Sequence, residues 1–230
     1  MLQDYLSGLL AKYEVPCAAV ITERGTVIMD GKEYPLFPHR FERRFIEMRK
    51  MLHDGTVTGV SAVRCGHAAP SGRTLDGLIR RELDLCRFLT GHEIVSVAAF
   101  LRDERAATLL AVMDDEVVCS VETANTLPAG ADPIDKHEVI SARGLVCDRV
   151  VDTQIPQQSI YLCADTNEAY TDVDFELYGL NAADVALVRA AFALAKDEAQ
   201  REEALRNKAV LDRIMECVAR SARTGKKAVV

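Results

Sequence analysis

The sequence has no run approaching about 18 consecutive apolar residues, which excludes a membrane-spanning helix. Its start, Met1-Leu2-Gln3-Asp4, offers neither a basic segment nor a continuous apolar stretch, so no secretory leader is expected. It has no excess of positive charge: 28 Lys and Arg stand against 35 Asp and Glu, a net charge of -7. A nucleic-acid binder needs a basic face to displace counterions from phosphates, so nucleic acid is not an expected partner, and neither is a membrane. No Cys-x-x-Cys pair occurs among the 7 cysteines, which excludes zinc-ribbon and thioredoxin-type motifs. Most of them lie among apolar neighbours, as in Val118-Cys119-Ser120-Val121, and read as reduced, buried small hydrophobes of a cytoplasmic protein. No internal repeat and no low-complexity tract is present. What remains is an ordinary globular composition, 49% hydrophobic and 27% charged. Its 230 residues are enough for one large domain or two small ones.

Periodicity divides the chain into helices at both ends and strands between. Tyr5, Leu6, Leu9, Leu10 and Tyr13 predict a helix over residues 4–14, ended by Pro16. Strands follow over residues 15–21 and 26–29, with a proline-containing loop at residues 34–39 that should not be helical. Phe41, Phe45, Met48 and Leu52 mark a second helix, stopped by Gly55. A strand over residues 57–66 leads to a third helix over residues 75–90, with Gly91 as its stop. Six strand-like runs then succeed one another, at residues 94–100, 107–113, 116–122, 137–141, 145–151 and 159–163. Asp114-Asp115 and Arg143-Gly144 suit tight turns between them. Residues 123–135, with two prolines and Gly130, read as a long excursion. Two helices close the chain, the first capped by Asn181 and the second stopped at Gly225.

Consecutive strands joined by short turns predict an α+β fold with a largely antiparallel open sheet. Helices too few to cover both faces would pack on one, leaving the other available for oligomerisation.

Pro38-His39-Arg40-Phe41, the helix after it and Gly55-Thr56-Val57-Thr58-Gly59 form a pattern that resembles the Gfo/Idh/MocA oxidoreductases. In that family an Asn-Arg-Arg-Phe-like segment leads to a helix and a Gly-x-Ile-Gly turn. Glu82-Leu83-Asp84-Leu85-Cys86-Arg87-Phe88-Leu89-Thr90-Gly91 is similar to the family's His-Asp-Leu-Asp-Leu-Leu-Arg-Phe-Leu-x-Gly helix, starting one residue later. The run 94–100 and Ser221-Ala222-Arg223-Thr224-Gly225-Lys226-Lys227 resemble the strand that follows and the C-terminal helix. The resemblance implies a C-terminal sheet domain over residues 31–230. Residues 1–30 are expected to be a helix-strand-strand remnant resembling the end of a Rossmann domain.

Three departures weigh against hydride transfer by this chain alone. No Gly-x-Gly-x-x-Gly turn occurs, so no backbone cradle for a dinucleotide pyrophosphate is encoded. The family's Glu-Lys-Pro segment is absent. The family's proton-transfer histidine falls on Arg81, and a guanidinium is a poor general base.

The expected function is therefore an oligomerising module that binds a sugar- or polyol-type ligand, without catalysis of its own. The alternative is the substrate-binding and oligomerisation subunit of a split NAD(P)-dependent oxidoreductase, with a Rossmann-domain partner protein. No cofactor is expected in this chain, and NAD(P) enters only through such a partner. A homodimer or higher homo-oligomer is the other expected partnership. The candidate ligand-binding residues are His39, Arg40, Arg80, Arg81 and Asp84. The arginines supply charge-assisted hydrogen bonds to a carboxylate, phosphate or polyol. His67 beside Cys65 has no evident third group for nucleophilic chemistry. Asp132, Asp135 and His137 are too scattered to predict a metal centre.

Overall fold

A computed structural model describes residues 1–148, 159–163, 167–171 and 176–230. The helices are α1 (Leu2–Lys12), α2 (Arg43–His53), α3 (Leu75–Thr90), α4 (Ala182–Lys196) and α5 (Glu198–Thr224). The first strands are β1 (Ala19–Ile21), β2 (Thr26–Met29), β3 (Lys32–Pro35), β4 (Val60–Pro70), β5 (Ile94–Arg102) and β6 (Ala106–Met113). They are followed by β7 (Val118–Leu127), β8 (Ile134–Ser141), β9 (Gly144–Cys147), β10 (Ser159–Cys163), β11 (Asn167–Thr171) and β12 (Ala228–Val229). The chain divides into two compact units, Met1–Ile46 with Val173–Val210 and Glu47–Asp172 with Leu211–Val230.

In the first unit, β1, β2 and β3 form a small antiparallel sheet. Leu6, Leu9 and Leu10 recur on one side of α1, and that side is buried with Val27 and Met29 of β2 and Val188 and Leu194 of α4. Residues 1–30, expected to be a remnant segment, contribute α1, β1 and β2 to this core. Asn181 caps α4 as the sequence indicates, its side chain accepting the backbone N–H of Asp184. The segment 34–39, expected to be free of helix, departs from expectation. Pro38–Phe41 form a single 3-10 turn with proline at its first position, where a missing N–H costs nothing.

In the second unit, nine strands among the described residues form one open sheet, in the order β11-β10-β9-β8-β4-β7-β6-β5-β12. Every neighbouring pair is antiparallel except β4 and β7 at the centre. The chain leaves β4 through α3, and the β5-β6-β7 meander returns it beside β4 in the same direction. The largely antiparallel expectation holds with this one parallel seam. The excursion expected at 123–135 is shorter than the composition indicated. β7 pairs with β4 as far as Leu127 and β8 begins at Ile134, so only residues 128–133 form the loop.

α3 packs on β4, β6 and β7. The alternating residues beneath it are buried: Val63 and Cys65 of β4, Leu109 and Ala111 of β6, Cys119 and Val121 of β7. Thr74 caps α3 by accepting the N–H of Gly77, and Gly91 ends it in the left-handed conformation at φ 74°. The later half of α5 buries Leu211, Ile214 and Val218. Ser221 fastens it to β5 by accepting the N–H of Ala99 at 3.0 Å.

On the opposite sheet face, Phe100 is 65% exposed and Leu110 46% exposed. No helix among the described residues is long and apolar enough to cross a membrane.

Candidate functional site

The polar residues that converge in the second unit lie between α3 and the sheet. Successive strand residues alternate faces, so Cys65 and His67 of β4 share the face that α3 covers. Asp135 and His137 of β8 stand opposite His67 and Cys65 in the antiparallel register. α3 sets Arg81 and Glu82 above them, and Asp148 follows the end of β9.

The innermost group is His137, fully buried. Its Nδ1 lies 2.6 Å from Asp148 Oδ2 and its Nε2 lies 2.9 Å from Glu82 Oε2. The other Asp148 oxygen accepts the backbone N–H of His137 at 2.7 Å. Burial works to lower the His137 pKa, but the carboxylates of Asp148 and Glu82 and their hydrogen bonds prevail and raise it well above 6.5. Burial likewise works to raise the Glu82 pKa. The charges of Arg81 and His137, with hydrogen bonds from both histidines, hold it well below 4.5. His137 is thus an imidazolium between two carboxylates.

The outer part of the cluster begins at Glu82 Oε1. It accepts a hydrogen bond from Arg81 Nη1 and lies 2.8 Å from His67 Nδ1. Arg81 Nη2 donates to Asp135 Oδ2 at 3.2 Å. A guanidinium shared between two carboxylates is a fixed cation.

The other candidate residues lie elsewhere. Arg80 turns to Asp76 at 2.7 Å and to Asp212 of α5 at 2.6 Å. Asp84 is buried and accepts from Arg87 at 3.2 Å, and Arg87 in turn pairs with Glu93 at 2.7 Å. His39 and Arg40 belong to the first unit. There His39 is buried, and Arg40 pairs with Glu203 at 3.2 Å and lies over the ring of Phe37. Of the five, Arg81 alone stands in the converging cluster. His67, Glu82, Asp135, His137 and Asp148 complete it.

Two groupings here have the composition of a metal site, Cys65-Glu82-His137 and Asp135-His137-Asp148. Their donors are already engaged. Both ring nitrogens of His137 serve carboxylates, and Glu82 is engaged by Arg81, His137 and His67. The arrangement fits an ion-pair network better than a metal centre. His92, Asp114 and Asp115 form a third grouping, exposed at the β6–β7 turn, where the ring nitrogens clasp the two carboxylates at 2.6 and 3.4 Å.

Cys17, Cys65, Cys86, Cys119 and Cys217 are free thiols. Cys86 of α3 meets Cys65 at 3.8 Å. Hydrogen bonding to Cys119 and Cys65, together with burial, raises its pKa well above 9.0, which keeps it an unreactive thiol.

No protein-family model and no curated protein matches the sequence. Solved structures do match. An inositol dehydrogenase homolog from Azotobacter vinelandii, complexed with NADH and myo-inositol, superposes with a TM-score of 0.65 at 14% identity, over 86% of this chain and 64% of that one. Myo-inositol 2-dehydrogenase from Lactobacillus plantarum gives 0.63 at 15% identity, over 84% and 63%. Aldose-aldose oxidoreductase from Caulobacter crescentus, complexed with glycerol, gives 0.62 at 16%, over 86% and 63%.

The chain therefore has an oxidoreductase-type α+β fold with an open mixed sheet. More particularly, it is the fold of the sheet domain of Gfo/Idh/MocA-type oxidoreductases, as the sequence resemblance implied. The chain spans less than two thirds of the length of these neighbours. At identities of 14–16% the likeness carries the fold alone.

Proposed function

We propose that this chain is a ligand-binding and self-associating sheet domain of the Gfo/Idh/MocA type. It takes a sugar, polyol or related acid and transfers no hydride by itself. The observation that carries this reading is Arg81. By the sequence resemblance it falls where the family has its proton-transfer histidine, and in the structure it is tied to Glu82 and Asp135. A guanidinium so held keeps its charge at any ordinary pH. It can orient a ligand oxygen but cannot exchange a proton with it. The open sheet face, with Phe100 and Leu110 exposed, supports self-association as a homodimer or higher homo-oligomer. Free, mostly buried cysteines suit a reducing, cytoplasmic setting.

Isothermal titration calorimetry tests the reading. NADH should give no measurable heat with the isolated chain, whereas myo-inositol should bind. Micromolar affinity for NADH would overturn the first expectation. Absence of heat from myo-inositol and from simple aldoses would overturn the second.

A second reading is motivated by the NADH present in the Azotobacter homolog. In it the chain is the substrate-binding and oligomerisation part of an NAD(P)-dependent oxidoreductase whose nucleotide domain is a separate chain. Co-purification with a nucleotide-binding protein is its expected signature. Consistent recovery of the chain without one counts against it.

A further inference from the structure

Among the described residues, β1 stands at one edge of the small sheet of the first unit. An edge strand presents unpaired backbone groups and invites a strand from another molecule. Two of these groups in β1 are nevertheless engaged. Gln3, in the first turn of α1, donates through Nε2 to the carbonyl of Ala19 at 2.8 Å. Its Oε1 accepts the N–H of Ile21 at 3.2 Å. Backbone groups of successive strand residues point to alternate sides, so Ala19 and Ile21 face the edge while Val20, between them, faces β2. One side-chain amide thus gives and takes a hydrogen bond where a neighbouring strand would do both. The large sheet closes an edge by a related means, with Arg220 of α5 donating to the carbonyl of Val229 in β12 at 2.6 Å.

Without Gln3, the edge of β1 is complementary to a second copy of itself. In an antiparallel pair centred on Val20, Ala19 of each copy stands opposite Ile21 of the other, and each such pair exchanges two hydrogen bonds. Those bonds use the same Ala19 oxygen and Ile21 N–H that Gln3 now holds. Val20 would then face Val20 in the non-hydrogen-bonded position, where side chains come closest. Val20 is 51% exposed and its cross-strand neighbour Ile28 is 40% exposed. Ala19, Val27 and Met29 alternate onto the core side, which leaves Val20 and Ile28 on the outer face. Two copies would join these valines and isoleucines into one apolar row across a closed two-fold contact.

We propose that Gln3 is a guard on the β1 edge. Its amide occupies the bonds through which β1 would pair with β1 of a second copy, and so keeps this edge out of assembly. The guard prevails because it is tethered beside the strand, whereas a second copy must first overcome the entropy of association. The inference goes beyond the ligand-binding reading and concerns a surface other than the open face of Phe100 and Leu110.

Hydrogen exchange and sedimentation of the full chain test it. In the wild-type chain the Ile21 amide should be protected although it lies on an edge. In dilute Gln3→Ala it should exchange about tenfold faster, the loss of one hydrogen bond. In concentrated solution Gln3→Ala should sediment one association step above the wild type, with the Ile21 amide protected again. Adding Val20→Lys sets like charges opposite each other at the centre of the pair, and should restore wild-type sedimentation while exchange stays fast. An unprotected Ile21 amide in the wild-type chain overturns the inference without any variant. Gln3→Ala that sediments as the wild type does also overturns it. So does a double variant that assembles as far as Gln3→Ala alone, since the contact then lies away from β1.

Discussion

Asp148, His137 and Glu82 form a buried line of alternating charge, capped by Arg81 and flanked by His67 and Asp135. Each member is held by the next, so removing one leaves a neighbour buried without its partner. His137→Asn should cost about 3–5 kcal/mol in urea unfolding, because Asp148 and Glu82 would both lose a cation. A cost within about 0.5 kcal/mol would mean the line is not closed to water. The same line sets a pH window. The folded pKa of His137 is raised, so its contribution is whole below 6.5 and is lost as pH climbs towards the folded value. That of Glu82 is depressed, so its contribution is whole above 4.5 and is lost as pH falls towards the folded value. Unfolding free energy should therefore be highest between these values and decline on both sides. His137→Asn should remove the alkaline decline. A wild-type profile that stays flat above 6.5 would contradict the assignment of His137 as imidazolium. Little of this line was legible in the sequence. Arg81 could be found because it sits in a recognisable helix, and His67 shares a strand face with Cys65 at a spacing of two. Asp148 carries no local signal, since its partner His137 becomes its neighbour only when β8 and β9 pair.

Elements whose local signals agree were readable to the residue. α3 spans Leu75–Thr90 as its apolar spacing indicates, because Thr74 and Gly91 close its ends with the expected chemistry. These caps make separate predictions. Thr74→Ala should destabilise by about 1 kcal/mol, the ordinary worth of an N-cap. Gly91→Ala should cost more. Its φ of 74° strains any side chain, and an added Cβ would come within 2.7 Å of the His53 ring. A thermal melt of Gly91→Ala no lower than that of Thr74→Ala would show that the His53 ring yields freely. Where long-range pairing decides an element, local signals fell short. Ala124 and Asn125 disfavour a strand, yet β4 supplies partners along that length, and the pairing carries β7 to Leu127. At Pro38 the error had the opposite sense. Proline forbids the interior of a helix but suits its first position, so one short turn forms there.

At the scale of the whole sheet, the parallel seam between β4 and β7 explains how one polar site and one bare face coexist. α3 is both the crossover that makes the seam and the cover over it, so polar groups of β4 and β8 meet Arg81 and Glu82 on that side only. The other side carries Phe100 and Leu110 among Arg64, Glu122 and Glu138, each facing outward by strand alternation. Apolar side chains set in a polar surround are the composition of an interface whose centre excludes water and whose rim does not. A stable pair would bury about 1,200–2,000 Å² in total, within reach of an open sheet of this many strands. The wild-type chain should therefore sediment as a dimer or larger at micromolar concentration. Leu110→Lys, at a side chain that supports no core, should leave the unfolding free energy within about 0.5 kcal/mol of wild type. It should nevertheless shift the chain to monomer, because a charge at the centre of the pair has no partner. A wild-type monomer would remove the face from the argument altogether. A Leu110→Lys dimer as tight as wild type would move the interface elsewhere on the chain.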